Sequence, residues 1–326
     1  MGKIIFSHKY EDIISAENLL CAWKEFEQDK NKRKDVQEFS RNLMDNILSL
    51  HNELTSFIYK HDVYEHFVVS DPKRRDIHKA SVRDRLVHRA IYRKLYPFFD
   101  KIFIFDSYSC RICKGTHRAI YRFCDFARKV SNNYTKTCWV LKCDIRKFFA
   151  SIDQNLLLSI VDARITDKRI VNLLSEIIGS FSSTEKDKGL PLGNLTSQLL
   201  VNIYMNEFDQ FVKHKLKLKY YIRYADDFVI LQQNKNELKE ILRYIVIFLR
   251  EKLKLELHPD KVFIKSVASG VDFLGWVNFQ KYRVLRTSTK RRMFKKLTEK
   301  NIDSYLGMLK HGNGFKLQRK ITSIQL

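Results

Sequence analysis

The chain has 326 residues, and 60 Lys+Arg against 37 Asp+Glu leave a formal net charge of +23. Such an excess points to a polyanionic partner, nucleic acid or an anionic membrane surface, while 44% hydrophobic and 13% aromatic residues exclude a disordered basic tail as the whole protein. Only 4 Pro and 10 Gly occur, which excludes collagen-like and low-complexity chains, and the longest apolar run, Tyr244 to Leu249, is far too short to cross a bilayer.

The N-terminus, MGKIIFSHKY, carries charge too early for a signal peptide, so a soluble intracellular protein without membrane contact is expected. Residues 1–60 read as helical, with Ile14, Leu19, Leu20, Trp23 and Phe26 at three-to-four spacing and the charge run Asp29 to Asp35 dividing two helices. Between 73 and 96, nine Lys/Arg stand against two Asp beside an apolar stripe of Val82, Leu86, Ala90 and Tyr92 to Leu95. This reads as one basic helical segment, either solvated or, given its local charge, in contact with phosphates. Cys110 and Cys113 have the short spacing of zinc sites, and Cys124 and Cys138 are the residues that would complete four ligands. A second close pair is missing, so ordinary reduced thiols are expected.

From residue 138 the pattern changes. Trp139 to Asp144 is β-prone, Thr196 to Leu216 reads as a long amphipathic helix, and Tyr220 to Leu231 as a hairpin with a polar centre. A helix over 236–254, strands near 255–258 and 261–267, and a pair at 271–279 and 281–286 follow. Strand, helix, hairpin, helix, strand is the order of a ferredoxin-like α+β sheet with helices on one face. The tail from Arg286 carries eleven Lys/Arg and two acids in an eighth of the length, and Arg286, Lys290, Arg291, Lys295 and Lys296 lie close together on helical geometry. A helix that tracks a nucleic-acid backbone is favoured over a solvated one.

Carboxylates inside apolar β segments of so basic a chain need a reason. Asp144 ends one such run, and Asp226 and Asp227 sit at the hairpin centre, 82 residues further on. Burying adjacent aspartates unpaired costs several kcal/mol, and a divalent cation removes that cost. Mg²⁺ takes few carboxylates plus waters and substrate phosphates. Two such ions roughly 3.5–4 Å apart activate a 3′-hydroxyl and stabilise a leaving pyrophosphate.

Six blocks in order carry a resemblance. Tyr224-Ala-Asp-Asp227 resembles the signature of reverse transcriptases, Asp144 to Phe149 their first palm block, and Gly189-Leu-Pro-Leu-Gly-Asn-Leu-Thr-Ser-Gln198 the block opening the long palm helix. Leu257 to Lys261 resembles the following lysine-containing block, Phe273 to Trp276 the primer-grip hairpin, and Ser107 to Arg118 the fingers block. The resemblance implies a right-hand polymerase: an N-terminal helical region over 1–60, fingers over 61–137, a ferredoxin-like palm over 138–285 with a fingers insertion near 153–190, and a short basic helical thumb over 286–326. Leu192 and Gln198 stand where most reverse transcriptases have Gln and Pro. That pattern resembles the enzymes of diversity-generating retroelements, cytoplasmic in a bacterial or phage-infected cell, which copy a template RNA with errors at adenine and lack RNase H and endonuclease domains.

By this resemblance, Asp144, Asp226 and the Ile145 carbonyl hold two Mg²⁺ ions, with Mn²⁺ as a substitute, and Asp227 supports them. Phe149 lies under the sugar and excludes a 2′-OH, or is a core aromatic. Arg111 pairs with the incoming triphosphate, and Lys261 lies near the leaving pyrophosphate or is a surface lysine. Leu192, Gly193 and Gln198 border the incoming nucleotide, Gly189 and Gly193 allowing close backbone approach. The implied partners are template RNA, primer or cDNA, deoxynucleoside triphosphates, and a pentameric basic helical-bundle accessory protein. A retron, intron-type or phage-defence reverse transcriptase, or a non-catalytic RNA-binding protein, stands as the alternative.

Overall fold

The computed structural model describes residues 4–71 and 73–323; the outermost residues of the N-terminal and tail readings, 1–3 and 324–326, lie outside them. In chain order the elements begin with α1 (Tyr10–Ile14), α2 (Ala16–Glu27), α3 (Lys34–Arg41), α4 (Leu43–Thr55), β1 (Glu65–Val69), β2 (Arg75–Lys79), α5 (Val82–Asp100) and α6 (Thr116–Val130). They continue with β3 (Trp139–Asp144), α7 (Phe148–Ser151), α8 (Gln154–Asp162), α9 (Lys168–Gly179), α10 (Leu195–Gln210), β4 (Tyr221–Tyr224), β5 (Asp227–Gln232) and α11 (Lys235–Leu253). The last are β6 (Phe263–Ser266), β7 (Val271–Phe273), β8 (Trp276–Asn278), β9 (Arg283–Leu285), α12 (Thr287–Lys295), α13 (Ile302–Leu309) and α14 (Phe315–Thr322).

Two compact units form, each from separate stretches of chain: Met1–Ile104 with Arg146–Gln210 and Leu249–Leu255, and Phe105–Ile145 with Phe211–Phe248 and Glu256–Leu326. In the first, α5 is the hub against which α1, α2, α3 and α10 pack. Ser15 caps α2 by accepting from the Asn18 N–H, and the Asn18 amide donates to the Ala90 carbonyl at 3.2 Å, tying α2 to α5. The charged run does interrupt the N-terminal helices, but among the described residues four helices rather than two lie between 10 and 55. The basic stretch from 73 is not one helix. Its first part is β2, paired antiparallel with β1, and the helix starts only after Ser81, whose side chain accepts from the Asp84 N–H. Helix α10 is buried on nearly every side rather than amphipathic, from Thr196 through Asp209.

The second unit contains a four-stranded antiparallel sheet of order β4-β5-β3-β6, the ferredoxin-like order expected. On one face, Val140, Ile222, Val229 and Leu231 meet Ala119, Phe123, Phe126 and Ala127 of α6 in a buried core. The opposite face, with Leu141, Cys143, Phe228 and Ile230, is equally buried. The sheet is therefore covered on both sides, a correction to the one-sided reading, because α6 enters from outside the βαβ unit. The strand expected near 255–258 is a single bridge, Ile145 to Leu257, and the 271–279 strand is split in two at Leu274–Gly275, both with positive φ. Around the resulting small sheet β7-β8-β9, Trp276, Leu285 and Ile120 form a second core with Met293, Leu309 and Ile321 of the three tail helices.

Candidate active site

Register brings the acids together. Asp144 closes β3 directly opposite Asp227, the first residue of β5, and Tyr224 lies opposite Asp227 on its other side. Residues opposite one another in antiparallel strands share a face, so Val140, Lys142 and Asp144 line up with Leu231, Val229 and Asp227. The apolar members lie under α6; the polar ones lie where that core ends. Ala225 and Asp226 form the two-residue turn, and Ala225 takes φ +55° while Asp226 does not, as in a II′ hairpin. The Ile145 N–H donates to the Asp226 carbonyl at 3.2 Å, and the His258 N–H to the Asp144 carbonyl at 2.7 Å.

Each flanking acid has a lysine. Lys261 donates to Asp144 Oδ1 at 2.6 Å, and Lys142 lies 3.3 Å from Asp227 Oδ2. Burial pushes the Asp227 carboxyl up to about 7; Lys142 opposes the shift, and the charges of Asp144 and Asp226 add to it. Asp227 Oδ1 is a buried oxygen without a hydrogen-bond partner. Among the described residues no group of three or more His, Cys, Asp or Glu side chains forms a ready-made metal cage. Few carboxylates, one with an orphaned oxygen, in place of a full cage is what Mg²⁺ shared with substrate phosphates requires, and these residues fit it.

Arg111 lies in the loop between Cys110 and Cys113, both at left-handed φ, and its guanidinium donates to the Ser107 carbonyl at 3.0 Å. All six cysteines are free thiols, Cys110 and Cys113 exposed and Cys138 and Cys143 buried. Arg286 pairs with Asp272 at 3.2 Å, and Lys290, Arg291, Lys295 and Lys296 are exposed, while Met293 of the same helix is buried in the core beneath.

The remaining predicted residues belong to the first unit, where the β1-β2 hairpin separates two cavities. Alternation along the strands assigns the sides: Asp76 and His78 of β2 with His66 of β1 face one, Ile77 and Lys79 with Phe67 the other. The larger, about 490 Å³, brings together Phe149, Leu192, Leu190 and Phe181 with Arg74 and Arg75. The smaller, about 260 Å³, has Gly193, Asn194 and the cations Lys30, Arg33, Lys79, Arg85 and Arg89 in its walls. The His78 N–H donates to the Leu192 carbonyl at 3.1 Å, and the Asn194 amide to the His78 carbonyl at 2.9 Å, so the hairpin and the 192–194 loop are laced together. Gly193 sits at φ +107°, and a Cβ there would come within 3.0 Å of Ile77. Gln198, in the first turn of α10, lines neither cavity.

Sequence reading did not place His66 and His78 beside Phe149 and Leu192, nor put Arg74 and Arg75 beside a cleft. The signal available was Glu-His-Phe-Val-Val, a β-prone run, followed by turn residues. Lys142 also went unremarked, though its two-residue offset from Asp144 puts it on the acid face.

Among the described residues no helix is long and apolar enough to cross a membrane. Residues 58–277 match the family model described as reverse transcriptase (RNA-dependent DNA polymerase). Protein YkfC of Escherichia coli is 29% identical over 63% of this chain and 63% of its own length. The group II intron-encoded protein LtrA of Lactococcus lactis is 23% identical over 68% of this chain and 46% of its own, and a COX1/OXI3 intron 2 protein of Saccharomyces cerevisiae 24% identical over 77% and 34%. The chain thus spans between a third and two thirds of the length of these relatives. Telomerase from Candida albicans, solved with a fragment of telomeric RNA, is similar in fold at a TM-score of 0.52 and 10% identity, over 77% of this chain and 51% of that one.

Proposed function

The chain belongs to the reverse transcriptase (RNA-dependent DNA polymerase) family, and on that premise we propose that it copies an RNA template into DNA from deoxynucleoside triphosphates. The observation that carries this is the register of β3 and β5, which sets Asp144 opposite Asp227 beside the Ala225–Asp226 turn. Asp144, Asp226 and the Ile145 carbonyl would hold the Mg²⁺ ions, or Mn²⁺ in their place, with Asp227 in support; when bound, the ions supply charge to an attacking 3′-hydroxyl and a leaving pyrophosphate.

This chain's own residues do the rest. Lys261, whose ammonium lies 2.6 Å from Asp144 Oδ1, would offer its positive charge to the leaving pyrophosphate. Burial raises the Asp227 carboxyl, and Lys142, 3.3 Å away, lies where it can hold that carboxylate's charge. Arg111 offers a fork suited to a triphosphate. Phe149 selects against a 2′-OH by bulk, with Arg74 and Arg75 of the same cleft available to phosphates. The exposed cations of α12 track the backbone of the primer–template as a thumb over 286–326, with fingers over 61–137 and palm over 138–285.

The finer reading is a diversity-generating enzyme that copies its template RNA with errors at adenine, supported by Leu192-Gly-Asn-Leu-Thr-Ser-Gln198, and working with a pentameric basic accessory protein. An intron-type enzyme is the second reading, favoured by the similarity to intron-encoded proteins. Primer extension on RNA with and without Mg²⁺, followed by sequencing of the cDNA by template base, tests both. Metal-dependent synthesis with errors concentrated at adenine supports the finer reading, faithful synthesis supports the intron type, and no synthesis overturns the polymerase.

A further inference from the structure

Among the described residues, Arg223 heads the fully buried side chains by volume. A guanidinium taken out of water costs several kcal/mol unless its donors are used, and here one is used on the hairpin turn and another on the 106–108 segment. Nη1 donates to the Ala225 carbonyl at 3.1 Å and Nη2 to Ser107 Oγ at 3.1 Å. The main chain of Arg223 is tied to the same segment: its N–H donates to the Asp106 carbonyl at 3.0 Å, and its carbonyl accepts from the Tyr108 N–H at 2.9 Å. The clamped carbonyl belongs to the residue in the left-handed region, where a side-chain-bearing residue costs about 1 kcal/mol or more. Asp226 is thereby held at both of its peptide groups, by Arg223 through the Ala225 carbonyl and by the Ile145 N–H through its own.

We infer that Arg223 is a positioning residue for Asp226, locking the peptide plane between Ala225 and Asp226 against the 106–108 segment. The inference rests on the reading of Asp226 as a metal ligand and adds what keeps that carboxylate in place. Amide hydrogen exchange on the full chain tests it, with Mn²⁺ binding followed by electron paramagnetic resonance as a second readout. In Arg223→Met the amides over 224–228 should exchange about tenfold faster or more, the worth of a buried charge-assisted hydrogen bond, with those of 139–142 unchanged and Mn²⁺ bound several-fold more weakly. Arg223→Lys, which keeps the charge but places its donors on a single nitrogen, should lie between, and Ser107→Ala should show a smaller change in the same place.

Unchanged exchange over 224–228 in folded Arg223→Met overturns the inference. So does acceleration spread evenly over the sheet, which would mark a general packing role. If Arg223→Met does not fold, Ser107→Ala decides: faster exchange confined to 224–228 supports the positioning, and an unaltered turn overturns it. A local response of the turn and of Mn²⁺ binding in a chain that makes no DNA supports the positioning while telling against the polymerase.

Discussion

At the end of the central sheet, three carboxylates are placed by main-chain register, with Asp144 opposite Asp227, Asp226 in a two-residue turn, and a lysine already on each flanking acid. In the cleft beside β1-β2, Phe149, Leu192, His66 and His78 are half-exposed or exposed and arrive from a short helix, a loop and a two-stranded ribbon. The main chain of His78 is tied to the 192–194 loop by two hydrogen bonds, the Leu190 N–H donates to the Phe149 carbonyl at 2.9 Å, and the His78 ring packs edge-on against Phe181. The difference teaches where tolerance lies. A sheet interior transmits any change in register to every side chain on the face, whereas a ribbon and a loop can re-shape around a new side chain. Substitutions should accordingly act all-or-none in the first place and by degrees in the second.

The largest effect is expected at the acids. Asp226→Asn and Asp144→Asn should each lower DNA synthesis by roughly 10³-fold or more while leaving RNA binding within about twofold, since they remove metal ligands and no phosphate contacts. Substantial residual synthesis would break the comparison at its rigid end.

Asp227 adds a pH signature. Its carboxyl is held up at about 7 by burial, against about 3.9 in an unfolded chain. The folded protein therefore keeps a proton that the unfolded one has lost. Without metal, stability is undiminished below about pH 4, falls as pH rises toward 7, and carries the full penalty above it. Asp227→Asn should be more stable than the parent by on the order of 2–4 kcal/mol at pH 8 and about equal at pH 4. Denaturant unfolding in chelator at both pH values measures it; a difference independent of pH would remove burial as the cause.

In the cleft the effects should be graded. Phe149→Ala should reduce discrimination against ribonucleotides by about a hundredfold, read as the ratio of kcat/KM for ribo- and deoxynucleoside triphosphates. If Phe149 serves only as packing, stability falls and that ratio holds. Smallest is Leu192. Leu at this place offers shape without a polar contact, so Leu192→Gln should improve fidelity opposite template adenine by roughly ten- to thirtyfold, worth about 1–2 kcal/mol. Equal error spectra from the two proteins on one template would take Leu192 out of base selection.

The acid site was legible because its signals are local: a β-prone run ending in Asp144, a hairpin centred on two aspartates, and apolar arms whose alternation dictates which side chains share a face. The cleft was not, because β1 and β2 lack a strong period. Arg75 to Lys79 is a polar stretch of low β propensity, and it is a strand only because it pairs with β1 and hydrogen-bonds the 192–194 loop. The expected helix from 73 was the cost of reading charge density without that pairing.

From its residues alone the chain determined a ferredoxin-like strand order, the break after α2, a cationic helix following Arg286, and the two acid-bearing segments, a β-prone run ending in Asp144 and a hairpin centred on Asp226 and Asp227, since each follows from periodicity or charge in its own stretch of sequence. Tertiary structure alone decided what long-range packing controls. It covered the second face of the sheet, put Lys142 and Lys261 on the acids, buried Arg223 against the 106–108 segment, and set Phe149, Leu192 and two histidines around one cleft. These depend on which surfaces meet after the chain has folded back on itself, and no local pattern of side chains encodes a meeting of residues far apart in the chain.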